Sequence, residues 1–274
     1  MRRKLQVSFV AAVLLGAFGA GIGCNKLRAR DQLNKGVEAY KNAQFDVAIE
    51  DFKNARELDP TLTSAQLYLA AAYANQYIPG APSPENLRNA DSAIQVYKEI
   101  LQKDPNNLSA IDGIGSLLYN MGTTPFDENK LNEAKAYHEK HIQISPNDPE
   151  PYYWVGVIDW ALAYRANRDM RDAFNRTARP KQQIKESDPL PNKLRAQFTD
   201  KYGQTVDEGI SDLEKAISLK PDYDDAMAYL NLMYRQKADM ETTKEAREAD
   251  LKKADQLVEQ VKAIKQKKAG TQPS

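Results

Sequence analysis

From Gly36 to Pro60 the chain reads GVEAYKNAQFDVAIEDFKNARELDP. Two helical-looking segments flank a turn at Ala43. Gly36 and Ala48, one in each segment, stand twelve residues apart. Residues this small let two helices cross closely, and Phe52 then fills the gap above them. Pro60 ends the second segment, because a proline inside a helix removes a hydrogen bond and collides with the preceding turn. The chain that follows must turn into another such pair.

The same layout recurs downstream. Pro105, Pro146 and Pro221 each close a comparable segment, and twelve residues before them stand Ala93, Ala134 and Gly209, matching Ala48 before Pro60. Eight before each proline stand Phe52, Tyr97, His138 or Leu213, and five before stand Ala55, Ile100, His141 or Ala216. Nine residues beyond each proline the chain is apolar, at Leu69, Ile114, Val155 and Leu230. The next residue is Ala70, Gly115 or Gly156, with Asn231 the exception. These residues resemble the tetratricopeptide repeat, whose unit is two antiparallel helices with small residues at their crossing. The resemblance implies an all-α fold: a right-handed solenoid of about five imperfect helix pairs over residues 31–267, stacked to bury a core that no single pair provides. In the fifth pair only Ala254, Val258 and Val261 place the second helix.

Departures from the repeat are insertions between the two helices of a unit. The spacing of small residues, twelve in the first unit, becomes 23 from Ala70 to Ala93, 19 from Gly115 to Ala134 and 53 from Gly156 to Gly209. In the second unit the extra chain contains Pro79-Gly80-Ala81-Pro82-Ser83-Pro84, too rich in proline for a helix. In the fourth it adds 41 residues, interrupted only at Pro180 and Pro189-Leu190-Pro191, and two lengthened helices projecting beyond the stack are expected. Residues 165–206 carry ten basic and five acidic side chains. That bias makes Arg171, Arg176 and Arg179 candidates for an anionic partner surface, although a solvated helical face is the commoner explanation.

The N-terminus has the layout of an export signal. Arg2, Arg3 and Lys4 precede an uncharged run from Phe9 to Gly23, which at fifteen residues falls short of the ~20 of a spanning helix. Gly21-Ile22-Gly23-Cys24 resembles a bacterial lipoprotein signal, with Gly21 where that family prefers Leu. The resemblance implies lipidation of Cys24 and an outer-membrane lipoprotein on the periplasmic face of the cell envelope. A soluble periplasmic protein or an uncleaved N-terminal anchor is the alternative. Residues 1–23 are then a signal peptide, 24–30 a tether and 268–274 a disordered tail.

Composition excludes much chemistry. The chain has 274 residues, with 38 basic and 38 acidic side chains, one cysteine and two histidines. A neutral chain has no overall field to hold nucleic acid. A lone cysteine forms no intramolecular disulfide or thiolate metal cluster. His138 and His141 fall on slots filled elsewhere by core residues, so no metal site is assigned. No cofactor or catalytic motif stands out, and an enzyme or glycan-binding site built by residues 165–206 is the alternative to a non-catalytic scaffold. The repeat resemblance places ligand-binding side chains on the first helix of each pair: Tyr40 and Asn75, then Asp112, Ser116, Tyr119 and Asn120, then Tyr153 and Trp160, and finally Arg235. Aromatic rings beside amides suit a protein or peptide partner.

Overall fold

The computed structural model describes residues 24–270, which are helical with no strand among them. The signal-peptide segment 1–23 lies outside the described residues. Helix α1 covers residues 24–41, followed by α2 (Phe45–Leu58), α3 (Thr63–Gln76), α4 (Pro84–Lys103) and α5 (Leu108–Thr123). Then come α6 (Glu128–Ile144), α7 (Pro149–Thr177), a 3₁₀ turn at Pro180–Gln182, α8 (Asn192–Leu219), α9 (Asp224–Ala238) and α10 (Lys244–Gly270). No helix among the described residues is long and apolar enough to cross a membrane.

The helix ends follow from the prolines. Asp59, Asp104, Ser145 and Lys220 each precede a proline, whose ring disfavours the α region for the residue before it. All four adopt φ between −143° and −133°, and each still donates its backbone N–H to the carbonyl four residues back. Helix starts are capped in the usual way: Asp127 accepts from the N–H groups of Asn129 and Lys130, and Ser83 and Asp148 cap helices that open on proline.

Two compact units divide at Leu117/Leu118. In the first, a Cβ added at Gly36 would meet the Phe52 ring at 2.5 Å, and one added at Gly113 would meet Tyr97 at 2.4 Å. The first is the close crossing that the repeat spacing requires; the second packs α5 on α4 at a glycine outside the repeat slots. Phe52 is fully buried and stacks on Tyr68, with 5.5 Å between ring centroids. The proline-rich insertion is a loop at residues 77–83, pinned by buried Asn86, which bonds to the backbone of Ile78 and Ala81. Residues 24–30, expected to be a tether, are part of α1, and Ala29 is buried.

In the second unit the repeat slots Ala134, Val155, Leu213, Ala216 and Leu230 are all buried. Gly156 lets the Leu213 side chain lie 2.4 Å from where its own Cβ would stand. The fourth-unit insertion does lengthen two helices, α7 to 29 residues and α8 to 28. It does not project freely. Phe198, Val206 and Leu190 are buried in the same core as Leu230 and Met233, and Asn167 and Arg171 of α7 bond to Gln236 and Asp239 at the end of α9. Residues 268–270, expected in a disordered tail, extend α10, and Lys268 Nζ donates to Asp224 Oδ1 at 2.6 Å.

Candidate partner-binding site

Along α7, Tyr153, Trp160 and Tyr164 stand at intervals of seven and four residues. At 1.5 Å per residue the stripe is about 16 Å long. Tyr229 of α9 joins it from the side, with its ring centroid 5.8 Å from Tyr153 and 5.3 Å from Trp160. Trp160 stacks on Tyr164 at 5.1 Å, and Tyr153 meets Trp154, which in turn meets Tyr119 of α5. Each of these rings is half-buried. Tyr119 donates its hydroxyl to Tyr229, and burial pushes its phenol up to about 12. Burial likewise raises Tyr153. The strip therefore offers apolar ring surface together with hydroxyls that stay protonated at neutral pH.

The strip runs into a cleft of about 780 Å³, where Trp160 and Tyr164 meet the insertion and helices α9 and α10. Its floor is a buried polar network. Arg171 donates from Nε to Asn167 Oδ1 at 2.7 Å, from Nη1 to the carbonyls of Lys185 and Asp188, and from Nη2 to Asp239 Oδ2 at 2.6 Å. Asn167 donates to Gln236 Oε1 and Asp239 Oδ2. Such a network holds its members in one geometry because every alternative leaves a buried charge unpaired. Arg168 and Lys185 are exposed at the rim.

The residues expected to bind fall in two sets. In the first unit Tyr40 and Asn75 come together, with Asn75 Nδ2 donating to Tyr40 Oη at 2.7 Å, while Asp112 and Ser116 are half-buried on α5. In the second, Tyr119, Tyr153 and Trp160 share the aromatic strip, Asn120 is exposed beside it in sequence, and Arg235 lines the cleft while pairing with Asp255 at 2.8 Å. Arg176 and Arg179 are exposed. Arg171 requires correction: its side chain is 7% exposed, and its charge is committed to Asp239 rather than offered to a partner. Cys24 is a free, exposed thiol. His138 is buried against Trp154, and burial holds it down at about 4, so it is neutral. The sequence pattern missed Tyr164, Tyr229, Lys185 and Arg247. Only Tyr164 had a local signal, since it stands one helical turn beyond Trp160.

Comparison with solved structures decides the fold. A crystal structure of the MamA protein superimposes with a TM-score of 0.55 at 16% identity, covering 90% of this chain and 97% of that one. The fold is that of the tetratricopeptide-repeat solenoids. A MamA fragment from Desulfovibrio magneticus RS-1 gives 0.55 at 15% identity, covering 88% of this chain and 96% of that one. YrrB, described as a TPR protein with an unusual peptide-binding site, gives 0.51 at 15% identity, covering 91% and 98%. A TPR repeat-containing protein of Borreliella burgdorferi is 28% identical over 78 residues, 27% of this chain. The match spans only 34% of that relative's length. No family model matches the chain.

Proposed function

We propose that this chain is a non-catalytic scaffold of the bacterial cell envelope, which holds an extended segment of a partner protein on the aromatic strip of its second unit. The observation that carries the reading is the strip itself. Five half-buried aromatic residues (Tyr119, Tyr153, Trp160, Tyr164 and Tyr229) from three helices cluster beside a cleft with a fixed polar floor. Rings clustered this way cover apolar groups of an extended chain, and their hydroxyls pair with its backbone. The peptide-binding site ascribed to YrrB supports the same use of this fold. Tethering through a lipidated Cys24 would present the scaffold at the periplasmic face, with the outer membrane as the membrane of attachment. Cys24 is exposed, as acylation requires.

A photo-crosslinking residue placed at Tyr164 tests the reading in intact envelopes. A discrete adduct with a protein is expected there and not at exposed Lys215 on α8. No adduct at Tyr164, or the same adducts at both positions, overturns it.

A further inference from the structure

The cleft beside the strip has a polarity of its own. Among its lining residues, two buried side-chain nitrogens have no hydrogen-bond partner among the described residues: Trp160 Nε1 and Arg247 Nε. Both are donors, and no lining side chain is left with a buried acceptor unpaired. A buried donor without an acceptor costs the structure its desolvation, so a ligand acceptor that reaches either nitrogen, after a small shift of the side chains that seal it, recovers that loss. Charge has the same sign. The lining holds five cationic side chains against three acidic ones. Two of the cations are already paired, Arg171 with Asp239 at 2.6 Å and Arg235 with Asp255 at 2.8 Å, which leaves Arg168, Lys185 and Arg247 against Asp172 and Glu186. Arg168 lies 4.0 Å from Asp172 with both side chains more than half exposed, a contact too loose to neutralise it. Lys185, also among the lining residues, is exposed. Between these cations the walls are apolar, from Ile184, Leu232 and Leu251.

We infer that this cleft is a subsite for an acidic side chain, aspartate or glutamate, of an extended peptide whose apolar neighbours lie on the adjoining strip. The inference rests on the peptide-binding reading and adds the chemistry of the bound segment. A carboxylate brings two acceptor oxygens and one negative charge, matching the unpaired donors and the surplus of cations. The Arg171 network fixes the floor before any ligand arrives, so little ordering remains to be done on binding. The volume, about 780 Å³, is that of a small-ligand pocket and holds a carboxylate side chain with its neighbours. Along the stripe, Tyr153 stands seven residues before Trp160, about 10 Å. An extended peptide spans that distance in about three residues. An apolar side chain on Tyr153 and Tyr229 thus lies about three positions from the acidic one.

Selection of a displayed library of random dodecapeptides on the full chain tests this. Retained peptides should be enriched in Asp or Glu about three positions from Leu, Phe or Trp. A retained peptide resynthesised with Gln for Glu should bind about tenfold more weakly, and its binding should weaken with salt. The double variant Arg168→Glu, Lys185→Glu, altered only at exposed positions, should lose a similar factor while keeping its helical circular dichroism. Peptides retained without acidic enrichment, or held equally by the double variant, overturn the subsite and leave the peptide-binding reading standing. Retention of an acidic oligosaccharide with no peptide retained overturns both.

Discussion

Lys135 Nζ lies 2.8 Å and 3.0 Å from the two carboxylate oxygens of Asp159, whose side chain is wholly buried on α7. The same ammonium reaches Glu208 Oε2 at 3.1 Å. Burial holds the Asp159 carboxyl up at about 7 against the pull of Lys135, and burial also raises Asp212 to about 6. An acid raised in this way binds its proton more tightly when folded. Its contribution to stability is therefore largest in mild acid and falls as pH rises from about 4 to about 7.

The variant Lys135→Met removes the charge that opposes this shift. It should destabilise the second unit by about 3 kcal/mol near pH 8, where Asp159 must either stay charged without a partner or take up a proton that the wild-type ion pair does not need. Near pH 5 the loss should shrink, because Asp159 is then protonated in the folded state. Urea unfolding at the two pH values measures the difference, and an equal loss at both would show that Lys135 does not counter a buried charge.

Arg171 and Asp239 form the second buried pair, and they tie the insertion to α9. Arg171→Met should cost roughly 3–5 kcal/mol by stranding Asp239, whereas Arg171→Met with Asp239→Leu should recover much of that loss. Replacing residues 168–191 by a Gly-Ser linker should lower the melting temperature rather than leave it unchanged, since Leu190 and Arg171 go with the segment. An unaltered melting temperature would mean that the insertion is not a brace.

The first helix pair gives two substitutions of opposite sign. Ala48 is fully buried at the crossing, and Ala48→Leu should cost about 1–3 kcal/mol by overpacking. Ala43, exposed in the turn before α2, has φ of 56°, a left-handed conformation that costs an L-residue roughly 1 kcal/mol. Ala43→Gly should therefore raise the stability of the first unit by up to about that amount. Thermal unfolding of the two variants compares them directly, and a loss on Ala43→Gly would contradict the strained turn.

Cys24→Ser addresses the tether. If Cys24 carries lipid, the variant should leave the membrane pellet and appear in the soluble periplasmic fraction, with its circular dichroism unchanged. Persistence in the pellet would mean that something other than a lipid on Cys24 holds the protein.

Periodicity alone determined the helix pairs. Small residues at fixed distances from a proline encode a close crossing and a helix end, both local demands of backbone geometry, and Gly36, Ala48, Phe52 and Pro60 announce them without any partner in view. Tyr153 and Trp160 were named through the repeat resemblance, since their seven-residue spacing puts them on one helical face but is equally the spacing of a buried core. The fate of the insertion was not legible. Arg171 is polar in any sequence count, and whether it meets water or Asp239 depends on a residue 68 positions away. Likewise Tyr229 reaches the strip, and Lys185 and Arg247 reach the cleft, from separate elements, so no spacing connects them. Burial of a charge is decided by what the fold sets opposite it, and only the tertiary structure turned a basic, solvated-looking segment into a brace with a cleft beside it.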